Sequence, residues 1–514
     1  MMKWYLATTI GPVVVAYRVA AISLKITAKA VILVWKVPFA FVSAVKGSRD
    51  FIKRVRDWGK KEPGIHGSAE FADDKKLKAR GHLENRSFLM GLTAGGKHVY
   101  NHHERAVLFM APPGVGKSQH LKAHIRSVLK REPDQYPHFI INDAADEHRD
   151  IAGEMEAAGY SIFKIDCVRP ELGSSYDILA ELDPESDDFD TQVAVICDGM
   201  IPPEPETRNS HFTNFVRLLL RAAITSNVKY GMNDKSICEI VNQVVSKSGR
   251  EQILQWIKGS DDEFLKAALE SVIELKGKDE GLSYTTTALQ KLEEWSRSNI
   301  RKVSRNRCGE PYRRGWKMDD FVTYPKPVAL FIRTGTQAAA GAYARMIYSN
   351  AISAVSRHLD SGKGALMREL ELVMDEAGLM GNCRAVIHAF GRLRKAGVRI
   401  RLFFLNLDEF KRTYPDWKII RDGSDMIVPG GSNDMELNSF VSGLIGDTTI
   451  ENKSHSESDH GESRSRSETV RRLVKDEEVR GQEPGNLLML LGNLTVKGKS
   501  PWRLNPKTGK PESL

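Results

Sequence analysis

The chain has 514 residues, 41% of them apolar and 27% charged, so a single small module and a wholly disordered chain are both excluded. Lys plus Arg exceed Asp plus Glu by 75 to 66, a net charge of +9 that favours a polyanionic partner without requiring one. The five cysteines (Cys167, Cys197, Cys238, Cys308, Cys383) follow no metal-ligand spacing, which argues against a disulfide framework or zinc site and for a reducing compartment.

Residues 4–45 are strongly apolar but carry Arg18, Lys25, Lys29 and Lys36, and the longest uncharged stretch runs only from Trp4 to Tyr17. A membrane-crossing helix needs about 20 apolar residues. The segment therefore reads as two marginal spans, as an interfacial helix with Lys25, Lys29 and Lys36 along one face, or as a buried or partner-binding helix. The basic run from Lys46 to Lys61 follows, and by the positive-inside rule it keeps the rest of the chain cytoplasmic. Residues 1–61 are expected to form a membrane-associating segment.

Beyond it, short apolar runs predict buried strands at Ala106 to Met110, Phe139 to Ile141, Ser161 to Ile165, Val328 to Ile332, Leu372 to Met374 and Leu402 to Leu405. Helical patterns between them, such as Ser118 to Lys130, imply crossover units and an α/β fold with a parallel-rich sheet. Directly after the first strand stands Ala111-Pro112-Pro113-Gly114-Val115-Gly116-Lys117-Ser118, opening the next helix. That setting is a P-loop: Pro113, Gly114, Val115 and Gly116 supply backbone N–H groups around a phosphate, Lys117 reaches the β and γ phosphates, and Ser118 holds Mg²⁺. Ala111 stands where the pattern has glycine, which a small residue satisfies if its φ stays negative.

Between 185 and 320 the pattern turns helical, with Phe212, Phe215, Val216, Leu219 and Ala223 on one face and Leu265, Ala268, Leu269 and Val272 on another. An all-α domain over 185–320 is therefore expected to split the nucleotide-binding domain into parts 62–184 and 321–514. From Arg297 to Lys317 there are eight basic residues, including Arg301, Lys302, Arg305 and Arg307, against one acid, Glu310, with Tyr312 and Trp316 interleaved and Trp295 just ahead. Such a patch suits single-stranded nucleic acid, an acidic subunit interface or plain solvent exposure.

The strand Leu372 to Met374 ends in Asp375-Glu376, which places a Mg²⁺-binding carboxylate (Asp375) and a general base for the attacking water (Glu376) where a P-loop enzyme needs them. The next strand ends at Asn406, whose amide either senses the γ-phosphate or bonds local backbone. Asn452 to Glu468 is polar and aperiodic, and reads as a loop.

Further segments carry a resemblance. His66-Gly67-Ser68-Ala69 with Gly91, Asp143 to Glu147, Val373 to Gly378, Arg394 to Val398, Tyr414 with Asp416, Asn433-Asp434, Ser439, Gly446 to Thr449 and Asp476 to Glu478 keep one order and spacing. Together with the P-loop, this resembles the coupling proteins of type IV secretion and conjugation, the TraG-like family. The segment Asp143 to Glu147 lacks that family's Pro and Gly, and Asn406 stands where the family has Gln. The resemblance implies a RecA-like ATPase, using ATP and Mg²⁺, that forms a hexamer at the cytoplasmic face of the bacterial inner membrane. It also implies a relaxase-bound single strand of DNA as substrate, channel proteins as partners, and an arginine reaching the γ-phosphate of a neighbouring subunit. Arg394 is the candidate, with Arg392 beside it. A soluble DNA motor unconnected with secretion, or a nucleotide-binding adaptor that does not hydrolyse, are the alternatives.

Overall fold

Runs rich in Val, Ile, Leu and Phe build the central sheet of the computed structural model. It describes residues 67–203, 210–229, 236–263, 265–266, 280–305, 318, 320–335, 338–458, 461–504 and 511–513. The expectations for residues 1–61, His66, Arg307, Ala268, Leu269, Val272, Tyr312 and Trp316 lie outside the described residues. The chain divides into two compact units, Met1–Ser68 with Thr448–Arg471, and Ala69–Asp447 with Arg472–Leu514.

In the larger unit the strands are β1 (Leu89–Thr93), β2 (His98–Tyr100), β3 (Ala106–Met110), β4 (His138–Asn142), β5 (Ser161–Asp166), β6 (Val328–Arg333), β7 (Leu370–Met374), β8 (Val398–Phe404) and β9 (Ser424–Pro429). After the polar strands β10 (Asp447–Ser458) and β11 (Gly461–Arg472) come β12 (Asn486–Leu491), β13 (Leu494–Lys499), β14 (Trp502–Leu504) and β15 (Pro511–Ser513). Eleven of them form one sheet in the order β2-β1-β13-β12-β9-β3-β8-β7-β4-β6-β5. From β9 to β5 every pairing is parallel. From β9 outward through β12, β13, β1 and β2 every pairing is antiparallel.

The sheet is parallel-rich, as expected, with six parallel pairings, and the four antiparallel pairings of that flank make it mixed. All six expected strands are present, and β1, β2, β9, β12 and β13 add to them. Gly91 belongs to this flank: a Cβ there would strike the Lys499 carbonyl and the Leu487 side chain, so glycine is what lets β1 approach its neighbour. The loop expected over Asn452 to Glu468 is corrected too. In the smaller unit β10 and β11 pair as a two-stranded sheet through backbone bonds that need no apolar face.

Alternate strand residues face opposite layers. Val107, Phe109, Phe139, Ile141, Val373 and Phe403 pack on Leu121, Ile125 and Val128 of the helix Lys117–Val128. Leu108, Met110, Ile140, Leu372 and Leu402 belong to the opposite core, with Tyr343, Ile347 and Val355 of the helix Ala338–Asp360. Between 185 and 320 the described residues contain helices and no strand: Phe189–Met200, Ser210–Lys229, Ile237–Val245, Lys247–Gly259, Glu280–Leu292 and Ser298–Val303 are the longer ones. Val216, Leu219 and Ala223 are buried, and Phe212 and Phe215 pack edge-on against Tyr284. Their apolar side chains are continuous with the core of the sheet.

Candidate nucleotide site

β3 runs straight into the loop. Ala111 is fully buried, its N–H donates to the Phe404 carbonyl (3.0 Å), and it is not among the residues with positive φ, which meets the condition for replacing a glycine. Gly114 and Gly116 have φ of 82° and 85°, a region in which any Cβ is strained, so the turn requires glycine at both. The Gly116 carbonyl accepts the His120 N–H (2.9 Å) and starts the helix Lys117–Val128. That helix is held to β1 by His120, whose Nε2 lies 2.8 Å from the Leu89 carbonyl, and by the Leu89 N–H, which donates to His124 Nδ1 (3.2 Å). Its N-terminal N–H groups are thereby fixed in direction before any ligand arrives.

The Lys117 ammonium is shielded from solvent, and no described residue hydrogen-bonds it. Burial pulls its pKa down, and the carboxylates of Asp375, Glu376, Glu409 and Glu147 act against that. Asp375 follows the end of β7, separated from β3 by β8 alone. It is buried, its Oδ1 meets no hydrogen-bond donor among the described residues, and the Asn142 side chain donates to its carbonyl (2.8 Å). Glu376 is half-buried in the left-handed region (φ 59°), a strain of the kind that persists where surrounding structure and function fix it. Burial first, then Asp375, raises its carboxyl pKa, as suits a base.

This arrangement fits a Mg²⁺–triphosphate. The unpaired Lys117 ammonium is the natural partner of a phosphate, and the unpaired Asp375 Oδ1 of a divalent cation. Among the described residues no cluster of three His, Cys, Asp or Glu could hold a metal by itself. That is ordinary for Mg²⁺, which binds through one or two protein oxygens, waters and the nucleotide's own phosphates. Ser118, half-buried at the first turn, offers a hydroxyl for it.

Two residues at the site, His148 and Glu409, escaped the sequence reading, and Asp143 entered it only through the resemblance of its segment. His148 Nε2 lies 3.5 Å from Asp375 Oδ2. Burial alone would lower the His148 pKa, but the Asp375 and Asp143 carboxylates outweigh it and raise it. Asp143 accepts the N–H groups of Glu147 (2.8 Å) and His148 (3.1 Å), which shapes the turn carrying that imidazole. Glu409 accepts the Leu405 N–H (2.8 Å), and its carboxylate fills the space a Cβ would need at Gly378. The signal that could have found them is strand adjacency: β4 pairs with β7, Asn142 opposite Met374, so the turns leaving the two strands meet.

Asn406 caps the helix Leu407–Thr413, its Oδ1 accepting the Glu409 N–H (2.8 Å), which is the local bonding its position allowed and leaves only the amide nitrogen for a nucleotide. Arg394 is exposed and precedes β8, whose far end pairs with the end of β3. Seven strand residues, about 20 Å, separate it from the P-loop of its own chain. Arg301, Lys302 and Arg305 are exposed on or just beyond the helix Ser298–Val303. Trp295 is 1% exposed and packs against Tyr343, so it is core and not a stacking platform.

A strand, a glycine loop with a buried lysine, and an Asp-Glu strand end on the next strand but one define the P-loop class of α/β proteins. The chain belongs to the type IV secretory system conjugative DNA transfer family, whose model matches residues 70–501. Among solved structures it is similar to the bacterial conjugative coupling protein TrwBdeltaN70 in an unbound form (TM-score 0.59, 17% identity, 84% of this chain and 92% of that one). It is also similar to plasmid coupling protein TrwB in complex with the ATP analogue ADPNP (TM-score 0.56) and with ADP and Mg²⁺ (TM-score 0.55), each at 16% identity over 84% of this chain and 93% of that one. A search of the curated proteins finds no match.

Proposed function

We propose that this protein is an ATP-hydrolysing, RecA-like coupling protein that recruits DNA–protein substrates to a type IV secretion channel and drives their transfer. The observation that carries the reading is the Lys117 ammonium, buried and unpaired, set among Asp375, Glu376 and Glu409 at the tips of adjacent strands. Pro113 to Ser118 cradle the phosphates, Ser118 and Asp375 hold Mg²⁺, and Glu376 takes a proton from the attacking water. When bound, Mg²⁺ would neutralise the negative charge of the phosphates. Lys117 draws charge from the γ-phosphoryl group as it leaves, and burial of the site strengthens that attraction. His148 keeps the Asp375 carboxylate aimed, and the Asn406 amide nitrogen is free to sense the γ-phosphate.

Arg394 stands at the opposite end of the sheet from its own P-loop, which supports a role on the nucleotide of a neighbour in a ring, a hexamer in our reading. Residues 62–184 and 321–514 form the motor domain, 185–320 the helical domain, and 1–61 the attachment to the cytoplasmic face of the inner membrane. Arg301, Lys302, Arg305 and Arg307 contact single-stranded DNA. That TrwB was solved with an ATP analogue and with ADP and Mg²⁺ supports ATP and Mg²⁺ as the cofactors.

The test is DNA transfer between cells whose own copy is deleted and replaced by variants. Lys117→Ala and Glu376→Gln should each lower transfer frequency by at least about 10³-fold while the protein accumulates normally. Transfer at wild-type frequency with either variant contradicts hydrolysis as the drive.

A further inference from the structure

The charges around Lys117 give the nucleotide a direction. Asp375, Glu376, Glu409 and Glu147 follow the ends of β7, β8 and β4, so the terminal phosphate and its cation lie on the β8–β7 flank of β3. The loop's backbone holds the inner phosphates, and the nucleoside must extend toward the other flank, where β9, β12 and β13 lie.

An aromatic residue reaches the loop from that side. After β13, Ser500 and Pro501 are buried, with the Ser500 N–H donating to the Gly485 carbonyl (2.8 Å), and the chain is thereby turned toward the P-loop. Trp502 follows, half-buried, and its ring lies directly on Gly116: the space a Cβ would fill there is taken by Cζ2, Cε2 and Cη2 of the indole. Gly431, just beyond β9, comes against Val115 of the same loop, so this flank closes on the P-loop from two strands.

We propose that Trp502 is a nucleotide-contacting residue, its indole forming the wall on which the ribose and base of the bound nucleotide stack. The proposal rests on the nucleotide-binding reading above and extends it from the phosphates to the nucleoside. Stacking uses a π face that every base has, so the wall should serve adenine and guanine alike. Gly116 is then required twice, for its positive φ and for the approach of the ring.

The test is calorimetric titration of the full-length protein with Mg-ATP, Mg-GTP and Mg-tripolyphosphate, which has the phosphates but no base. Trp502→Ala should weaken ATP and GTP about tenfold and leave tripolyphosphate within about twofold. Trp502→Leu, which keeps the packing on Gly116 without the π face, should show the same pattern, and Trp502→Phe should restore most of the affinity. The proposal is overturned if nucleotide affinity is unchanged or tighter in the Leu variant, since the ring is then a bystander or a steric gate. It is equally overturned if tripolyphosphate weakens in step, since Trp502 then only props the loop. If wild-type protein binds no nucleotide, or binds it as well with Lys117→Ala, the nucleotide reading itself fails and this proposal with it.

Discussion

At the scale of single residues, an ion pair lies inside the core. Glu371 and Arg401, 1% and 0% exposed, sit on adjacent strands, with Arg401 Nε donating to Glu371 Oε2 (3.2 Å) and His124 Nε2 at 3.2 Å from the same oxygen. Burial alone would raise the Glu371 pKa, but Arg401 and His124 outweigh it and hold the carboxyl far below the usual range. Removing one member strands the other, so Glu371→Gln should cost about 3–5 kcal/mol in denaturant unfolding, and Glu371→Leu with Arg401→Met together much less. Buried histidines contribute to acid sensitivity, His138 among them. His138 is 1% exposed, its Nδ1 accepts the Val328 N–H (3.0 Å), and burial lowers its pKa to about 4. An unfolded histidine protonates near pH 6.5, so between that pH and about 4 the unfolded chain holds a proton the folded one refuses. The contribution, about 3 kcal/mol, is complete above pH 6.5 and is lost as pH falls toward 4. Stability measured across that window should decline, and His138→Gln should flatten the decline.

At the scale of elements, the P-loop, its strand and its helix were legible because glycine, lysine and an apolar run are local signals. Strand β8 was only half legible: Arg399 and Arg401 interrupt its apolar run, so just Leu402 to Leu405 stood out, and nothing local says that Glu371 waits on the next strand to receive Arg401. His148 and Glu409 were illegible for the same reason, since their place depends on which strands are neighbours. Strand β12 reads as leucines and methionine with weak strand preference, and becomes a strand by pairing with β9. The helix Ser298–Val303 carries a prediction at this scale. Neutralising Arg301, Lys302, Arg305 and Arg307 together should weaken single-strand binding and reduce the slope of log affinity against log salt by about 0.7 for each phosphate the helix no longer neutralises. An unchanged slope in a filter-binding titration would remove this helix from the DNA path.

At the scale of the whole molecule, the nucleotide site and Arg394 lie at opposite ends of one sheet, so the role proposed for Arg394 requires a second subunit. Arg394→Ala and Lys117→Ala should each abolish turnover alone, and mixing the two proteins should restore part of it, because some interfaces then pair an intact P-loop with an intact arginine. Absence of recovery on mixing, with both proteins assembled, would exclude Arg394 from the neighbouring site. In the proposed function, the buried lysine and the Asp-Glu strand end hydrolyse ATP in response to DNA. The most direct measurement is ATP turnover by full-length protein with and without single-stranded DNA, with Glu376→Gln and Lys117→Ala alongside. Turnover should rise with DNA and be lost in both variants, with Glu376→Gln still binding ATP. Turnover that persists in Glu376→Gln, or ATP that binds but is never hydrolysed with DNA present, would contradict the proposed function.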